Sequence, residues 1–189
     1  MLPKRAAGPR SATPERYPTE PKAKWMGLEL VSDSTREHYI LELRDWSEWP
    51  ERLEVAKPAF ILFIVGDSTS ISPSELSAFA ALAVAQGVLY ICAWGHGCED
   101  VETAFDLVQV QAEVEHGQEN PLIMTTSHAG ESFADAAWFS LNTAFPHPDW
   151  DGTSFCWVGV VVDAPDRATD LRGWLSRPQS LDEIVGVVG

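Results

Sequence analysis

The chain has 189 residues, 45% of them hydrophobic, and a formal charge of −15; that length supports one domain with a continuous core and is too short for two ordinary ones. From Pro58 to Asp166, 109 residues, there is no Lys or Arg against fifteen acids. Sites for phosphates, nucleotides and nucleic acids draw most of their attraction from fixed positive charge, so this balance excludes nucleic acid and anionic membrane surfaces as partners and favours basic proteins or metal cations.

The charge is unevenly spread. Residues 1 to 24 hold Lys4, Arg5, Arg10, Arg16, Lys22 and Lys24 against Glu15 and Glu20, so the segment is +4 and the remainder −19. Pro3, Pro9, Pro14, Pro18 and Pro21 lie in the same segment, a composition that predicts a disordered tail over 1–24 ahead of a single α/β domain over 25–189. The start lacks the apolar run of a signal peptide, and no segment approaches the roughly 18 apolar residues of a membrane span. Cys92, Cys98 and Cys156 are three, with no Cys-x-x-Cys pair, which fits a reducing cytoplasm better than a disulfide framework.

Short alternating runs at Met26–Val31 and Tyr39–Leu43 read as two strands or a strand and its lead-in, and Asp45–Leu53 as a loop or one irregular helical turn that packs Trp46 and Trp49 onto the body. Ala59–Val65 is a continuous apolar run ending in Gly66-Asp67, the pattern of a strand buried on both faces. Ser72-Pro73-Ser74-Glu75 marks a helix start, with Ser as N-cap, Pro at the first position and Glu three residues on, and the helix closes at Gly87. Val88–Ala93 is a second buried strand. Val101, Ala104, Phe105, Val108 and Ala112 stand at helical spacing after it. A third strand follows at Leu122–Thr125, a third helix at Phe133–Phe145 closed by Pro146 and Pro148, and a fourth strand at Phe155–Val162. A last helix spans about Arg167–Leu175, and Leu181–Val188 closes the chain over an edge.

Apolar strands alternating with helices imply a mainly parallel sheet of four to six strands covered on both faces: a three-layer α/β/α sandwich, Rossmann-like or flavodoxin-like. Ligands of such sheets bind outside the carboxyl ends of the strands. Four loops sit there: Gly66–Ser72, Trp94–Asp100, Thr126–Ser132 and Asp163–Arg167.

A phosphate cradle is the first reading to test, yet no G-x-G-x-x-G and no Walker-type lysine follows any strand, and Gly95-His96-Gly97 alone is weak evidence. Glu75, Glu99, Asp100, Glu102 and Asp135 stand in or near first helical turns, where they complement the helix dipole and fill the seats an anion would take. Zinc is an alternative on His96, Cys98 and His128, with Glu131 three residues after His128. Cys98 at a helix start with His128 as base is a candidate nucleophile, opposed by its neighbours Glu99 and Asp100 and by the role of a buried structural thiol. Cys92 and Cys156 fall inside apolar strands and read as core. Trp94 follows a strand directly and is a candidate contact residue.

Cys92-Ala93-Trp94-Gly95, Cys98-Glu99, Phe105-Asp106, Met124-Thr125-Thr126 with His128 and Glu131, Ala136–Phe139 and Ala144–Pro146 together resemble an uncharacterised bacterial family of small α/β domains, a domain of unknown function. The resemblance covers about residues 59–162. It implies the α/β fold and places Trp94, Cys98, Glu99, Asp106, His128 and Trp138 in the family pattern, with no activity attached.

The expected function is a non-enzymatic binding or accessory role toward a protein partner with a basic surface, with Asp67, Trp94, His96, Glu99 and Asp100 as the binding rim. No cofactor is expected. The alternative is a small hydrolase or metal-dependent enzyme using His96, Cys98, His128 and Glu131 at the same strand ends. A further reading makes the +4 tail an arm that docks onto acidic surfaces.

Overall fold

The computed structural model describes residues 27–33, 36–117 and 121–187; the expected tail over 1–24 lies outside them. Among the described residues six strands form one sheet: β1 (Glu29–Ser32), β2 (His38–Leu43), β3 (Ala59–Val65), β4 (Val88–Trp94), β5 (Met124–Ser127) and β6 (Phe155–Val162). Five helices accompany them: α1 (Pro73–Ala85), α2 (Cys98–His116), α3 (Phe133–Asn142), α4 (Pro165–Ser176) and α5 (Pro178–Val185). The strand order is β1-β2-β6-β3-β4-β5. Only β1 runs antiparallel to its neighbour; all other pairings are parallel.

The α/β sandwich expected from the sequence is present, with a strand order of its own. It differs from both the 3-2-1-4-5-6 and 2-1-3-4-5 arrangements of doubly wound sheets, because the last strand, β6, inserts between β2 and β3. Strand-helix-strand units cross over right-handed. The chain therefore steps outward from β3 through β4 to β5 with α1 and α2 on one face, and must return to β6 with α3 on the other. The direction of winding reverses between β3 and β6.

Period-two alternation sorts β3 onto both faces. Phe60, Leu62 and Ile64 join Phe79 of α1 and Phe105 of α2, while Ile61, Phe63 and Val65 join Phe133 of α3 and Leu171 of α4. Each such side chain removed from water is worth about 1.5–3 kcal/mol. The link from β2 to β3 carries no α-helix. Instead a single 3₁₀ turn at Trp46–Glu48 sets Trp46 and Trp49 edge-on to Phe79, with centroids 5.3 and 5.0 Å away, and these indoles do the covering a helix would otherwise do. Trp157 of β6 is fully buried on the opposite face.

Some elements differ from the sequence reading for local reasons. β5 begins two residues later than expected because Ile123 is claimed by α2: its N–H donates to Gln109 Oε1 (2.8 Å) and its carbonyl accepts from Gln109 Nε2 (3.0 Å). The third helix stops at Asn142 rather than Phe145, since the N–H groups of Thr143 and Ala144 both turn back to the Phe139 carbonyl. The closing segment is helical, with Leu181 buried and Trp138 Nε1 donating to Asp182 Oδ1 at 2.9 Å. The helix start at Ser72 is as expected: Ser72 caps the Glu75 N–H and Glu75 reaches back to the Ser72 N–H, a complete capping box.

Candidate functional site

Reversal of winding between β3 and β6 leaves a crevice at their carboxyl ends. A cleft of about 630 Å³ opens there, bordered by the loops after β2, β3, β4, β5 and β6. That volume falls in the range of small-ligand sites, roughly 300–1,000 Å³.

Its floor is a pair of loops knitted by backbone. The Gly66 N–H donates to the Trp94 carbonyl (3.1 Å), and the Ser68 N–H to that of His96 (2.9 Å). Ser68 Oγ donates to the Gly97 carbonyl at 2.8 Å. So close an approach requires glycine at Gly95: its φ is +124°, and a Cβ there would lie 2.0 Å from the Gly66 carbonyl oxygen. Gly95-His96-Gly97 is thus a packing device between two strand-end loops.

Two indoles are held in the walls by their own donors. Trp46 Nε1 donates to the Asp67 carbonyl (3.3 Å) and Trp94 Nε1 to the Glu131 carbonyl (3.0 Å). Asp67 accepts from both the N–H and the hydroxyl of Thr69, and these bonds hold its carboxyl below the usual carboxylate range. Asp45 is lowered in the same way by Ser47. His128 is 5% exposed, and its Nδ1 lies 2.9 Å from Glu131 Oε2, whose side chain is half exposed. The His128 Nε2 lies 3.3 Å from Thr126 Oγ1, and its ring packs on Phe139. Asp163, in the left-handed backbone region with φ 50°, completes the rim beside Ala164.

Folding corrects one inference from charge. The segment between Pro58 and Asp166 has no cation, yet Arg167, directly after it, and Arg44, fourteen residues before it, both line the cleft. Neither is unengaged. Arg44 pairs with Glu48 at 3.3 Å; Arg167 pairs with Asp170 at 3.5 Å and lies over the Trp94 and Phe133 rings, 5.4 and 5.0 Å from their centroids. Against these two stand four lining carboxylates, Asp45, Asp67, Glu131 and Asp163, so the field of the cleft is negative.

Of the residues singled out in sequence, Asp67, Trp94, His96, His128 and Glu131 are brought to this cleft. Glu99 and Asp100 are exposed in the first turn of α2 and do not line it. Cys98 is 3% exposed and belongs to the core under α1 and α2. Burial, with the charge of Glu99 adding, pushes its thiol upward, the opposite of what a nucleophile needs. The Cys92 and Cys156 thiols are pushed up to about 12 and about 11, chiefly by burial. Among the described residues no group of three or more His, Cys, Asp and Glu is arranged to hold a metal ion; His96 and His128 face the cleft while Cys98 faces the core. No helix of the described residues is long and apolar enough to cross a membrane.

Arg44, Asp45 and Trp46 were missed as site residues. They follow β2, a strand with only a weak sequence signal, and nothing local announces that β2 lies two strands from β3. Asp106, part of the resemblance, lies outside the cleft, where it accepts from Thr125 Oγ1 at 2.8 Å and ties α2 to β5.

Residues 38–177 match the family described as a domain of unknown function (DUF7684). The chain belongs to that family. The match runs from the first residue of β2 through α4 and so contains every element that borders the cleft. Comparison with curated proteins and with solved structures found no match.

Proposed function

We propose that this DUF7684 domain acts by binding, and that its cleft takes a cationic segment of a protein partner. The observation that supports this reading is the charge of the cleft: four carboxylates face two arginines, each already engaged by an acid of its own. The Asp45 and Asp67 carboxyls are held below the usual range by hydrogen bonds and stay ionised at any physiological pH. Arg167 lies over Trp94 and Phe133, a sign that these rings accept a guanidinium by cation–π attraction. A Lys or Arg side chain entering the cleft meets carboxylates at its head and indole at its stem.

Fluorescence anisotropy of labelled hexa-arginine tests this. Binding is expected at low salt, at least tenfold weaker near 0.3 M salt, and undetectable for hexa-glutamate. Replacing Asp67 by Asn and Glu131 by Gln together is expected to cost at least tenfold. Neutralising Glu113 and Glu115, equal in charge but on the far end of α2, is expected to leave affinity within twofold. Equal losses from the two pairs would reduce the interaction to bulk acidity and sink the reading.

A second reading, an enzyme at the same strand ends, draws support from one observation: a carboxylate on Nδ1 of a buried histidine, the arrangement that orients a general base. With the Cys98 thiol in the core, such an enzyme would activate water rather than a thiol. Loss of any hydrolytic activity in His128→Gln, with Cys98→Ser unaffected, is the outcome that reading requires.

A further inference from the structure

This inference rests on the binding reading above and concerns what competes for the same cleft. β1 runs antiparallel to β2, with Glu29 opposite Ile40 and Ser32 opposite His38. The chain upstream of Glu29 therefore leads toward the carboxyl end of β2, where Leu43 passes into Arg44, Asp45 and Trp46 of the cleft wall. Leu28 packs against the core on the face that holds Trp46. Gly27 thus stands on the cleft side of the sheet, and residues 1–26 precede it. They carry six Lys/Arg against two Glu, while the rest of the chain is −19.

We infer that the N-terminal segment, residues 1 to 24, docks in the cleft of its own chain as a cationic competitor of the partner. Reach permits it. Neighbouring strands lie about 4.8 Å apart, which puts β3 about 15 Å from β1, whereas some twenty residues span about 25 Å on average. Tethering at that range gives an effective concentration of about 1 mM. A segment with an intrinsic dissociation constant near 100 µM would then keep the cleft occupied about ten times as much as empty, and a partner's apparent affinity falls about tenfold. Asp67 and Glu131 are the seats for such a segment, since the first is exposed and the second half exposed.

The test compares the full chain with a full chain in which Lys4, Arg5, Arg10, Arg16, Lys22 and Lys24 are all replaced by Gln. Two labelled probes are titrated at about 50 mM salt: a synthetic peptide of residues 1–24, and hexa-arginine. The expected result is that the substituted chain binds both probes about tenfold more tightly than the native chain, and that adding Asp67→Asn with Glu131→Gln to it abolishes the gain. Equal, measurable affinities of the two chains would overturn docking in cis and leave the cleft reading standing. Binding of hexa-arginine without the 1–24 peptide would do the same. A gain that survives the double substitution would overturn the cleft as the docking place. Binding of neither probe by either chain would overturn both this inference and the reading beneath it.

Discussion

The two ends of the sheet treat polar groups in opposite ways. At the carboxyl end, Asp67 and Glu131 stand exposed, bonded to Thr69 and His128 and open to solvent. At the amino end, where β2 and β6 begin, Arg36 lies over Phe145 and Phe155. There His38 packs 5.9 Å from the ring of Trp157, and Arg36 Nη1 and Trp157 Nε1 are buried without hydrogen-bond partners. Burial, with the charge of Arg36 adding, lowers His38 to about 4. One end leaves its carboxylates in water; the other buries the Arg36 guanidinium among rings and disfavours the charged form of His38. A ligand gains from meeting the first end and would have to displace rings at the second, so the difference points to the carboxyl end before any motif is considered.

The largest blow to that contrast is Gly95→Ala, which combines a positive φ with a Cβ 2.0 Å from the Gly66 carbonyl oxygen. It is expected to cost about 3 kcal/mol or more in chemical denaturation, because backbone rather than a flexible side chain must move. A loss under about 1 kcal/mol would show that the two loops are not locked together.

His38 tests the closed end through pH. Its folded pKa lies below the ordinary value of 6.5, so as pH falls through 6.5 the unfolded chain takes up the proton first. Its contribution is therefore complete above about 6.5 and is lost between 6.5 and 4, by up to about 3 kcal/mol. Thermal unfolding from pH 7 to 4 should show a steeper decline for the native chain than for His38→Gln. Parallel declines would mean that His38 titrates freely.

Smaller still is Ser72→Ala, which removes the Ser72 Oγ bonds to the Glu75 N–H and carboxylate, leaves the backbone half of the capping box in place, and is expected to cost about 1 kcal/mol. Its effect on probe binding should be nil, which separates stability of the carboxyl end from its chemistry.

How far the sequence discloses this arrangement depends on the range of the forces involved. The start of α1 was legible because Ser72, Pro73 and Glu75 act on one another within a turn. β3 was legible because Phe60 through Val65 must be apolar on both sides. The start of β5 at Met124 was not, since Gln109 of α2 holds both backbone groups of Ile123. Nor was the placement of β6 between β2 and β3, which decides where the winding reverses; it depends on packing between segments more than 90 residues apart. The long gap in positive charge says nothing of cations that folding brings in from outside it, and Arg44 and Arg167 both line the cleft. Even so, Asp67, Trp94, His96, His128 and Glu131 were all picked out, because loops at the carboxyl ends of parallel strands converge whatever the strand order.

The central claim is that the carboxyl-end cleft receives a cationic segment, and indole ¹H–¹⁵N spectra during titration with hexa-arginine test it most directly. The indole N–H groups of Trp46 and Trp94 donate into the cleft walls, while that of Trp138 is bonded to Asp182 on the α3–α5 side. Saturable shifts of Trp46 and Trp94 are expected, absent in the Asp67→Asn, Glu131→Gln double variant, with Trp138 and Trp157 unmoved. Shifts led by Trp138, or spread evenly over all the indoles, would contradict it.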